Sequence, residues 1–222
     1  MTGTGISKPD RAEWFRATTW TEEHRSRFFA RLARSRTSFN RAQYLRIQAF
    51  TLGEAGHPEA ALELLNLLVT EYPESSQLAL AHEHRGAIYR TLGDTQAAIE
   101  AFVAGRLAEQ GHPNVHTRCS LMLALLIVEE RIAERYDEAA AAIDAFGSSN
   151  PDLPFPLDVY HVNVVRAALA KQEGRDAEAK RYAERALAAS NAQSSAFSRH
   201  PKLGLVGSAT SKLHSWLRRW AA

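Results

Sequence analysis

Four blocks of the chain carry the same arrangement of small, apolar and polar positions. The clearest runs Gly86-Ala87-Ile88-Tyr89, then a turn at Gly93, then Ala98 and Phe102. Weaker copies lie around Gly56-Ala61-Leu65, Tyr136-Ala139-Ile143 and Gly174-Ala179-Ala183. Apolar residues three and four apart on both sides of a short turn predict two amphipathic helices joined as a hairpin. Four such hairpins predict an all-α stacked solenoid, because one hairpin cannot bury its apolar face alone. Gly56, Gly93 and Gly174 suit the left-handed conformation that ends a helix. Pro58 and Pro113 each follow Gly-His, a placement that suits the first turn of the next helix. Small side chains at Gly86 and Ala98 let two helices approach closely, and Tyr89 and Phe102 are expected to fill the space between neighbouring hairpins.

The flanks read differently. Residues 1–13 are polar and glycine-bearing, as in a loose tail. Thr19-Trp20-Thr21-Glu22 has the form of a capping box with Thr19 as N-cap, and Thr21 is the rival one step later. The helix that follows, to about Arg36, sets Phe28 and Leu32 on one side and Arg27, Arg31 and Arg34 on the other. It is expected to cap the first hairpin. Gly147-Ser148-Ser149-Asn150-Pro151 breaks the pattern, either as a long turn or as a subdomain boundary. After an irregular stretch from Ser194 to Ser208, a last helix carries Leu213, Trp216, Leu217 and Trp220 on one face. It either shields the end of the stack or docks on another chain. The expected divisions are 1–41 for tail and cap, 42–193 for the repeats, and 194–222 for a loop and terminal cap.

The repeated positions resemble the tetratricopeptide signature, W-x2-L-G-x2-Y, then A-x3-F, then Pro, at a period near 34 residues. The unit at about 79–112 has Gly86, Tyr89, Ala98 and Phe102, with His82 and Arg85 in place of the Trp and Leu. The unit at about 42–75 offers Ala49, Leu52, Ala61, Leu65 and Pro73; that at about 160–193 offers Ala167, Ala170, Ala179 and Ala183. The unit at about 120–153 departs most, with Glu134 where the turn glycine belongs. Turn spacings from Gly56 to Gly93, Glu134 and Gly174 are 37, 41 and 40, so longer helices or connections are expected. The segment from Trp14-Phe15-Arg16 to Gln48 is also similar to the opening of small bacterial repeat proteins of this class. That likeness implies a bacterial origin and no particular activity.

The resemblance implies a concave groove lined by the first helix of each hairpin. It places Gly53, Arg90, Arg131 and Lys171 there, each just after the Tyr place, with Arg46 one to two turns earlier on the same face. Arg46, Arg90, Arg131 and Lys171 are therefore the expected ligand-binding residues. Guanidinium forks in series suit an acidic segment, since each can give a carboxylate two hydrogen bonds. The plainer alternative is solvated side chains, some paired with Glu54, Glu83 or Glu130.

Composition narrows the classes. With 222 residues, 45% hydrophobic and 23% charged, the chain has room for one or two ordinary globular domains. Its longest apolar run, Leu121 to Val128, is far short of the ~20 residues of a membrane helix. Met1 to Asp10 lacks the features of a secretory leader. Cys119 is the only cysteine, which excludes an internal disulfide and suits a reducing interior, so cytoplasm is the expected compartment. The net charge of +2 is unevenly spread: +6 over residues 1–46, −9 over 47–150 and +5 over 151–222.

Candidate chemistry is sparse. His82 and His84 diverge on a helix, and Pro113 separates His112 from His116, so no metal or cofactor is expected. Gly3-Thr4-Gly5 has neither the strand nor the lysine of a phosphate loop, and no catalytic motif occurs. Arg25, Arg27, Arg31, Arg34 and Arg36 cluster, yet nucleic acid is disfavoured, because no aromatic–basic motif accompanies them and the central stretch is acidic. The expected function is a non-catalytic protein- or peptide-binding scaffold. The alternative is self-association or assembly through Trp216 and Trp220, and an enzyme comes third.

Overall fold

The computed structural model describes residues 13–207 and 212–222, and every regular element among them is helical. Most of the expected tail, including Gly3-Thr4-Gly5, lies outside the described residues. No described helix is long and apolar enough to cross a membrane. The chain divides into two compact units, Met1–Thr117 and Arg118–Ala222.

The first unit contains α1 (Glu22–Ala33), α2 (Ser38–Glu54), α3 (Pro58–Glu71), α4 (Leu78–Leu92) and α5 (Thr95–Gln110). Helices α2 and α3 form one hairpin, α4 and α5 the next, and both α2 and α3 pack against α4. The cap of α1 is Thr21, whose hydroxyl accepts from the His24 amide; Thr19 instead meets the His24 ring, 2.7 Å from Nδ1. Thr19 stands too far before the first helical residue to reach its free amides. Helix α1 stops at Ala33 rather than near Arg36, because Thr37 already caps α2 by accepting from Asn40.

Phe28 and Leu32 of α1 join a core of Leu45, Leu52, Leu64, Leu65 and Leu68. Gln48, fully buried, holds the preceding segment: it accepts from the Ala17 amide at 2.9 Å and donates to the Ala17 carbonyl at 2.7 Å. In the second hairpin a Cβ on Gly86 would lie 2.6 Å from Phe102 Cδ1. Phe102 therefore fills the inside of its own hairpin, against the bare backbone of Gly86, and not the space between hairpins.

The second unit contains α6 (Cys119–Glu129), a single 3-10 turn (Ala133–Arg135), α7 (Tyr136–Ser149), α8 (Pro156–Gln172), α9 (Asp176–Ser190) and α10 (Lys212–Ala221). Leu121 and Leu123 to Val128 are all buried, so α6 is covered on every side, as an all-apolar helix requires. It packs against α7 and α8; α8 and α9 form a hairpin; α10 lies on α9 and touches α8. Of the break expected over 147–151, Gly147, Ser148 and Ser149 are instead the last turn of α7, and only residues 150–155 connect α7 to α8 within this unit. A strap before α10 is tied down where Leu157 donates to the Gly204 carbonyl at 2.8 Å and Phe155 stacks on Phe197 at 5.1 Å.

Each hairpin turn closes through one left-handed residue. Gly56, Gly93 and Gly174 have φ of +84°, +79° and +72° as expected, and the third hairpin uses Arg131 at φ 56°. The Ile132 amide donates to the Ile127 carbonyl at 3.0 Å, as His57 does to Leu52, Asp94 to Tyr89 and Arg175 to Ala170. The turn position is thus Arg131, and Glu134 falls in the 3-10 turn beyond it. Pro113 does not open a helix as expected: it lies in a turn, and the next helix starts at Cys119.

Candidate functional site

In the first unit, α2 presents Arg46, Phe50 and Gly53 on one side, at spacings of four and three. On α4, His84, Ala87, Ile88 and Thr91 occupy one side for the same helical reason. Phe50 and Gly53 from α2 and these four residues of α4 line a cavity of about 370 Å³, with Glu54 and Pro58 at its margin and Arg46 one turn beyond it on α2. Phe50 is 47% exposed, although it is a large apolar residue beside an otherwise buried stripe of Leu45, Ala49 and Leu52. Its ring lies 5.1 Å from that of His84. Gly53 leaves the cavity open: a Cβ there would only just touch Ile88, at 3.8 Å.

Arg46 is half-buried, one turn before Phe50. Its Nε donates to Gln77 Oε1 at 2.7 Å, which fixes the guanidinium. Burial lowers its pKa; Glu83 opposes that shift and Arg16 adds to it. The His84 pKa falls to about 4, from burial first and then from the Arg46 charge, so the ring is neutral at pH 7. Its Nδ1 is buried with no hydrogen-bond partner. His82 is also held neutral, with its pKa lowered to about 4 by burial and then by Arg85, whose Nη1 donates to its Nδ1 at 3.2 Å. The two histidines go to different neighbours. Among the described residues no group of three or more His, Cys, Asp or Glu is placed to hold a metal.

The four expected cations fall two in each unit. Arg90 is half-buried in the last turn of α4. In the second unit, Lys171 is exposed and its Nζ donates to Asp176 Oδ1 at 2.6 Å, across the hairpin turn. Arg131 does not occupy the place of Arg90 and Lys171. Those two stand three residues before a left-handed glycine, and the equivalent of the third hairpin is buried Val128. The guanidinium of Arg131 instead lies 4.7 Å from the Trp216 ring centroid. Trp216 is only 7% exposed, and Trp220, half-buried, packs beside it at 6.0 Å.

The expected groove row therefore loses Arg131, and the Phe50–His84–Ile88 cavity was not anticipated. Its available signal was Phe50 itself, an aromatic residue off the buried stripe of α2 and one turn from Arg46. No protein-family model matches the chain, and no curated protein or solved structure matches it either.

Proposed function

We propose that the chain is a tetratricopeptide-like repeat protein that works without catalysis, as a cytoplasmic scaffold binding a protein segment on the α2–α4 face. The observation that carries this reading is the juxtaposition of an exposed aromatic ring, an open apolar cavity and a fixed guanidinium. Phe50 and Ile88 offer a seat for one apolar side chain, and Arg46 offers a charge-assisted hydrogen bond to a neighbouring carboxylate. The preferred segment thus pairs an apolar residue with Asp or Glu. The buried position of Trp216 supports a covering role for α10 over assembly through its tryptophans.

A displayed library of random peptides tests this. Selection on the parent protein should enrich an apolar residue next to Asp or Glu. Phe50→Ala should abolish the enrichment without lowering the melting temperature, since the side chain is half exposed. Enrichment that persists in Phe50→Ala, or no enrichment with the parent, would reject this face as the binding surface.

A further inference from the structure

The arginines of α1 have a neighbour that their sequence context hides. The segment held by Gln48 carries Trp14 back against Tyr44 of α2, with ring centroids 4.9 Å apart. Trp14 also meets Phe28 at 5.4 Å, so it is anchored to the core from one side and half exposed on the other. Around it lies a depression of about 470 Å³ lined by Trp14, Tyr44, Arg31, Arg34, Arg36 and Asn40, with no carboxylate among the described residues that line it. A second depression of about 350 Å³ shares Trp14 and Arg31 and adds Arg16 and Arg27, together with the carboxylate of Glu13.

The charges are not equally committed. Arg25 pairs with Glu63 and Arg27 with Glu23. Arg31 lies over the Trp14 ring, 6.0 Å from its centroid. Arg34 and Arg36 are exposed, and neither has an ion pair among the described residues. Three guanidinium groups and two partly exposed aromatic rings thus border one concave surface. All of it comes from the basic stretch before residue 47, outside the acidic stretch that argued against a polyanion.

We infer that this surface binds single-stranded nucleic acid, with phosphates on Arg31, Arg34 and Arg36 and bases against Trp14 and Tyr44. An acidic peptide satisfies the cations but brings nothing regular to cover the rings. A single strand carries both phosphates and flat bases, which matches a surface that offers both cations and aromatic rings. A duplex keeps its bases stacked inside and cannot use the rings.

Fluorescence anisotropy with labelled twelve-nucleotide oligo-dT and oligo-U tests the inference and separates DNA from RNA. Saturable binding is expected, weakening about 20-fold between 50 and 200 mM salt if about three phosphates are contacted. Binding should quench tryptophan emission, and Trp14→Phe, which keeps a ring on Phe28, should remove most of the quench. Arg34→Glu with Arg36→Glu, both at exposed positions, should weaken binding at least tenfold with an unchanged melting curve. Phe50→Ala should bind the oligonucleotides like the parent, which separates this surface from the α2–α4 face. No saturable binding at 50 mM salt, parental binding by the double arginine variant, or equal competition by a twelve-residue polyglutamate would overturn it. So would a quench that survives in Trp14→Phe.

Discussion

A methyl group at residue 86 has two opposed effects. In a helix, Gly→Ala stabilises by about 1 kcal/mol through backbone entropy. Here the new carbon would sit 2.6 Å from Phe102 Cδ1, deep in the hairpin, where overpacking costs about 1–3 kcal/mol. Phe102 is fully buried and has no room to retreat, so Gly86→Ala should lower the melting temperature. In the double variant with Phe102→Leu, the combined loss should be smaller than the sum of the two single losses, because the changes share one space. Thermal melts of the three variants check both points. Gly86 and the turn glycines were legible from residue type, since nothing else fits those places as cheaply. Arg131 was not. Its left-handed backbone is imposed by the bond from Ile132 to Ile127, and a charged residue with a Cβ gives no sign of that conformation in the sequence. Misplacing that turn by three residues moved the third member of the expected cation row.

At the scale of elements, α10 is the sharpest case of a face that needs a partner. Leu213, Trp216 and Leu217 are all buried, while Arg218 and Arg219 face outward. Removing residues 212–222 should expose their seat on α9 and α8, so the shortened chain should bind a hydrophobic dye and aggregate. Trp216→Ala alone should cost about 3–5 kcal/mol, as large-to-small changes in cores do. A Trp216→Ala variant that melts like the parent would count against the covering role and for docking. The apolar face of this helix was legible from its spacing, but its use was not, because spacing shows that a face is apolar without showing what covers it. The same limit hid the partner of α1. Trp14 is seventeen positions from Arg31, and only the fold of the segment onto Gln48 brings them together.

At the scale of the whole molecule, two histidines, His82 buried and His84 half-buried, make stability depend on pH. Each has its pKa lowered from 6.5 to about 4 in the folded protein. The unfolded chain therefore binds their protons more tightly, so their contribution is complete above pH 6.5 and is lost as pH falls towards 4. Asp158 runs the other way: burial raises its pKa against the pull of Arg118, which favours the folded state at low pH and withdraws that help as pH rises through the raised value. With two groups against one, melting temperature should fall between pH 7 and 4.5, and His84→Gln should flatten the fall; a parent with equal melting temperatures at both would contradict the assignment. The helical repeat itself was legible because periodicity is a local property, whereas the division after Thr117 was not, since it depends on which helices cover one another. That division has a consequence for synthesis. All five helices of the first unit have been made by residue 117. Helix α6 comes next, apolar all round, and the helices that cover it, α7 and α8, are both made after it. Until residue 172 has left the ribosome, the apolar segment of α6 lacks at least part of the cover that α7 and α8 give it in the finished unit. The second unit is therefore the half that calls for a chaperone, and the half that a premature stop would turn into an aggregate.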